Sequence, residues 1–87
     1  MWIKTTAPLP GEGLVNTDKV LCIGMAKERG FPLMVKCWTT NRDDRIGCVL
    51  AIGNKDYCQH CFDKIKLGLT LRDSIVELES EEEWRNG

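Results

Sequence analysis

The chain has 87 residues, 43% hydrophobic and 29% charged, with 12 Lys plus Arg against 13 Asp plus Glu. That length and balance describe one small folded domain and exclude a disordered chain, the acidic end apart. The formal net charge of -1 is a sum of unlike parts: residues 1 to 72 carry 11 basic and 7 acidic groups, or +4, and residues 73 to 87 carry 1 basic and 6 acidic groups, or -5.

Apolar periodicity places the elements in order. Trp2 to Thr6 alternates and predicts a first strand, and Ala7 to Gly13, rich in Pro and Gly, predicts a surface loop. Asn16-Thr17-Asp18 is a turn leading into a second strand over Val20 to Ala26, which Lys27-Glu28-Arg29-Gly30 closes as a hairpin. Phe31 to Thr40 alternates most clearly, with Leu33, Val35, Cys37 and Thr39 on one face and Met34, Lys36, Trp38 and Thr40 on the other. Asn41 to Asp44 supplies a polar turn, and Arg45 to Gly53 returns with Ile46, Cys48, Leu50 and Ile52 inward. Strands joined by such short loops favour an antiparallel meander.

The period then changes to 3.6. Asp56 and Gln59 have capping-box spacing, and Cys58, Cys61, Phe62, Ile65 and Leu69 form one apolar helical stripe that would lie across the sheet. Gly68 is expected to end or weaken that helix. For Leu71 to Leu78 a second helix, with Ser74 and Glu77 as a capping box, and a strand through Ile75-Val76 are both open.

Nothing suggests crossing of a membrane. The longest uninterrupted apolar run, Cys48 to Ile52, falls far short of the roughly 20 residues that span a bilayer. Met1 to Thr6 shows no basic region followed by an apolar stretch, so a cytoplasmic location is the expectation.

Five cysteines without a secretory signal predict reduced thiols, not a disulfide framework. Three roles are open. Every cysteine falls where the pattern calls for a small buried apolar residue, which makes core filling the simplest role. Cys58 and Cys61 have a spacing used for zinc, but zinc needs four ligands, and His60 points about 100 to 200° away from them on a regular helix. A redox pair would place Cys58 at an exposed helix start, where the dipole lowers its pKa.

Trp38 lies opposite Leu33, Val35 and Cys37, together with Met34. If one helix covers only one face of the sheet, Met34, Trp38 and Val49 form an exposed apolar patch suited to a homo-oligomer or protein partner; the alternative is that the C-terminal segment folds over it. The acidic run from Glu77 to Glu83 reads either as a solvated terminus or as a tail docked on the basic body through Trp84. The basic residues include no nucleic-acid-reading motif or aromatic interleaving, so nucleic-acid binding is a minor alternative. Gly11-Glu12-Gly13 precedes no helix and is no phosphate loop, His60 lacks recognisable catalytic partners, and no enzyme and no cofactor is expected.

Met1-Trp2-Ile3-Lys4-Thr5, followed by Leu14-Val15-Asn16, Asp18 and Val20, resembles the opening of short uncharacterised bacterial and prophage-type proteins. The resemblance implies an N-terminal strand, a Leu-Val-Asn-x-Asp turn, a β-meander and a closing helix, with no activity or site to carry over. The chain departs from that pattern in its Pro and Gly loop, its cysteines and its acidic end. The expectation is an α+β domain over residues 1 to 78, an antiparallel sheet of about four strands with a C-terminal helix on one face, followed by an acidic tail over 79 to 87. Its function is expected to be that of a self-associating binding or assembly module, with a zinc or thiol-redox site at Cys58 and Cys61 as the alternative.

Overall fold

A computed structural model describes residues 1–5, 13–39 and 48–87, apart from the side chains of residues 13, 19, 21 and 39. The expected turn at Asn41 to Asp44, and Ile46, lie outside the described residues. The fold is α+β, as the periodicity indicates. In chain order the strands are β1 (Trp2–Thr5), β2 (Gly13–Asn16), β3 (Val20–Lys27), β4 (Leu33–Thr39), β5 (Cys48–Gly53) and β6 (Ile75–Glu77). Helix α1 (Lys55–Leu71) follows β5, and helix α2 (Glu81–Asn86) follows β6.

The strands form two sheets of three. The antiparallel meander β3-β4-β5 is one, and β2-β1-β6 is the other, with β1 antiparallel to β2 and parallel to β6. The first strand therefore does not extend the meander. It is held at both ends by backbone bonds: Thr17 N–H donates to Met1 O, Trp2 N–H to Ser74 O, and Leu78 N–H to Lys4 O, at 2.9 to 3.0 Å. The β3-β4 hairpin turns on Gly30, whose φ of 85° lies where L side chains are disfavoured.

Helix α1 joins the two sheets. Asn54 is its N-cap, accepting from Tyr57 N–H at 2.8 Å, while Gln59, expected in a capping box with Asp56, instead donates to Asp63 at 2.9 Å. The predicted stripe is buried at Cys58, Cys61 and Ile65, half-buried at Phe62 and exposed at Leu69. These side chains share one core with Ile3 and Val76 from the first sheet and Val35, Cys37, Leu50 and Ala51 from the second. Residues 75–77 resolve as a strand whose central residue, Val76, points into this core while Ile75 and Glu77 point out.

Gly68 does not end the helix, which runs to Leu71 and closes with Arg72 in the left-handed conformation, Asp73 N–H bonding to Gly68 O at 2.9 Å. Its role is close approach. A Cβ at position 68 would overlap Val76 Cγ2 and lie 3.3 Å from Met1 Sδ. Gly68→Ala should therefore destabilise the protein by up to about 2 kcal/mol, overpacking of about 1–3 kcal/mol being set against a helix-propensity gain of about 1 kcal/mol. Urea unfolding measures it; stabilisation by about 1 kcal/mol would show that β6 does not press on α1.

Two register shifts change which residues face inward. One lies in the β4-β5 pair between Val35 and Lys36, so Leu50 and Ala51 are both buried while Cys48, expected inward, is exposed and Ile52 is half-buried. The other lies in the β3-β4 pair between Val20 and Cys22.

Candidate functional site

The patch expected from Met34, Trp38 and Val49 is not open. Met34 is 3% exposed, and Trp38 and Val49 are half-buried. The reason is position. β4 is the central strand, so Met34 is flanked in register by Ala26 and Ile52, and Trp38, in register with Cys22, leans its ring toward Gly24. Lys36, on the same face, is only 4% exposed; its ammonium pairs with Glu28 at 2.6 Å and lies 5.9 Å from the Trp38 ring centroid.

An open apolar face occurs instead on the other sheet. Its inner side carries Ile3, Thr5, Val15 and Val76. Its outer side carries Trp2, Leu14 and Ile75, which are 46%, 62% and 47% exposed. Trp2 and Ile75 are direct neighbours across β1-β6, and Lys4 is in register with both Leu14 and Glu77. Leu67 of α1 lines the same surface depression as Ile75, in company with the charged Lys64, Asp73 and Glu77. This region escaped sequence reasoning, because β2 is short and the β1-β6 pairing joins segments more than 70 residues apart.

The cysteines divide into two groups. Cys37, Cys58 and Cys61 are buried, as core filling requires, whereas Cys22 and Cys48 are exposed; all five are free thiols. The Cys58 thiol donates to Leu33 O at 3.2 Å, and burial pushes its pKa up. Burial likewise pushes Cys61 up to about 11, with the Tyr57 hydroxyl opposing the shift, and burial raises Tyr57 as well. A thiol held protonated is a poor nucleophile and a poor metal ligand. Among the described residues, no three His, Cys, Asp or Glu side chains are grouped so as to hold a metal ion. His60 faces away from both cysteines, toward Glu79 and Trp84.

That His60 environment is a polar and aromatic clasp at the C-terminal end. Glu79 bonds His60 Nε2 through one oxygen and Lys64 Nζ through the other, the latter at 3.0 Å. Tyr57 donates its hydroxyl to Glu79 O at 2.6 Å. Ser80 caps α2 by accepting from Glu83 N–H, and Trp84 then stacks on His60 with ring centroids 5.5 Å apart and tilts against Tyr57 at 5.8 Å. Asn54, the α1 cap, also donates to Glu81 at 3.0 Å. The acidic end thus docks through Trp84 on the first turns of α1. As chemistry the cluster holds a charge pair and an aromatic stack, with the neighbouring hydroxyl already committed to a backbone carbonyl.

No family model, curated protein or solved structure matches the chain.

Two outcomes follow from this geometry. A thiol reagent should modify two cysteines rapidly in the native protein and the other three only on unfolding; three or more fast thiols would contradict the burial of Cys37, Cys58 and Cys61. For the clasp, burial alone would raise the Glu79 carboxyl, but its bonds to Lys64 and His60 outweigh burial and hold it below its ordinary 4.5. The unfolded chain therefore takes up this proton first on acidification. The stabilisation is complete above about pH 4.5 and is lost as pH falls through the lower folded value. Glu79→Gln should flatten that acid limb in a pH series of urea midpoints, and Trp84→Ala should cost about 1–2 kcal/mol at neutral pH. An unchanged acid limb would remove the clasp from the stability account.

Proposed function

We propose that the chain is a non-enzymatic binding or assembly module that associates with a second copy of itself through the outer face of β2-β1-β6. The observation that carries this reading is the exposure of Trp2, Ile75 and Leu14 on one sheet face, Trp2 and Ile75 as direct neighbours and Leu14 one register row away, with Leu67 beside Ile75. Large apolar side chains grouped in this way mark association surfaces, and Trp is the residue type most enriched among binding hot spots.

A second copy suits this face better than an unrelated partner. Lys4 and Glu77 share a register row with Leu14, next to the Trp2–Ile75 pair, so the face carries both signs of charge. A two-fold arrangement brings the same patch together on both copies, and a patch bearing both signs is self-complementary in that arrangement. The chain's size adds to the argument, because a domain of 87 residues buries a modest fraction of its surface alone and gains from association.

Sedimentation equilibrium over a concentration series tests the proposal. A dimer in the micromolar range is expected, with Trp2→Lys or Ile75→Lys weakening it roughly 10- to 100-fold at unchanged far-UV circular dichroism. Trp38→Ala should leave assembly unchanged. A monomer at all concentrations rejects self-association, and a dimer sensitive to Trp38 but not to Trp2 returns the interface to the β4 face.

A further inference from the structure

A groove runs between the start of β3 and the outer edge of α1. Its walls are Val20 and Ile23 from the strand and Phe62, Ile65 and Leu69 from the helix, and it encloses about 230 Å³. The register shift between Val20 and Cys22 shapes it. In a regular strand residues three apart point to opposite faces, yet Val20 and Ile23 pair with Thr39 and Cys37, which share a face, so the irregularity brings both onto the groove wall, with Cys22 at its rim.

Lys66 is the one charged residue among the described lining side chains. Its ammonium lies 5.5 Å from the Phe62 ring centroid, and among the described residues no carboxylate pairs with it. The groove thus combines apolar walls with a single cation whose partner in the fold is an aromatic ring. The space lies below the roughly 300–1,000 Å³ of drug-sized ligand pockets. That is too little for a helix about 10 Å across, and it matches a short aliphatic or aromatic acid.

We infer that this groove is a binding site for a small amphipathic anion, an aliphatic carboxylate of about eight carbons in all, whose body lies between Ile23 and Phe62 and whose charge meets Lys66. The site is separate from the proposed self-association face, so either can fail without the other.

Cys22 provides a local readout, since it lines the groove and is exposed, while Cys48 is exposed outside it. Octanoate, kept below its micellar range, should slow alkylation of Cys22 at least fivefold and leave Cys48 unaffected, with each site followed by peptide mass spectrometry. Octylammonium should give no protection. Lys66→Gln, an exposed substitution checked for unchanged thermal unfolding, should raise the half-protecting octanoate concentration roughly two- to fivefold, as for an exposed ion pair. Absence of Cys22 protection, equal slowing at Cys22 and Cys48, equal protection by octylammonium, or no effect of Lys66→Gln would each overturn the inference.

Discussion

The inner face of α1 is the constraint on which the rest of the structure depends. Tyr57, Cys58, Cys61, Ile65 and Gly68 form its buried side, and both sheets rest on it. Among the described residues neither sheet has another helix of comparable length to cover it, and a sheet with one apolar face must bury that face against another element. The small residues on this face set the spacing. Cys58 and Cys61 fill the contact with the meander, and Gly68 lets the helix approach β6 closely enough for Val76 to join the same core. Exclusion of water from this seam also raises the Tyr57, Cys58 and Cys61 pKa values.

Much of this fold was legible in the sequence. Period-two alternation marks β1 and β4, an apolar run after a turn marks β3, and the 3.6-residue stripe marks α1 and its buried positions at Cys58, Cys61 and Ile65, because these signals are local. The parallel β1-β6 pairing is not, since it joins the two ends of the chain and leaves no periodic trace. Ile75 and Val76 fit a helical stripe nearly as well as a strand, and only contact with β1 and α1 decides between them. Cys48 was misplaced because a register shift resets alternation, and Gly68 because a glycine near a helix end reads equally as a terminator or as a close contact.

The candidate sites were less legible for the same reason. The sequence singled out Met34, Trp38 and Val49 on the correct assumption that α1 covers only one side of the meander. What alternation alone does not show is how far the neighbours bury that side: Met34, between Ala26 and Ile52, is 3% exposed, and Lys36 folds down to pair with Glu28. The exposed group of Leu14, Trp2 and Ile75 comes from three separate segments and exists only once β2, β1 and β6 are paired. The acidic end has a related lesson. Its charge run suggests a solvated terminus, whereas Trp84, Ser80 and Glu79 supply the anchor, cap and ion pair that dock it on α1. The net charge of -1 therefore hides a contact between the two oppositely charged parts, through Glu79 and Lys64.

Native-state hydrogen exchange over a denaturant series tests the central claim most directly. If α1 joins both sheets into one cooperative core, the slowest amides of β1 and β6 will open with the same free energy and the same denaturant dependence as those of α1 and β4. If the amides of β1 and β6 exchange through an opening several kcal/mol smaller while α1 and β4 stay protected, the two sheets do not share a core and the account is wrong.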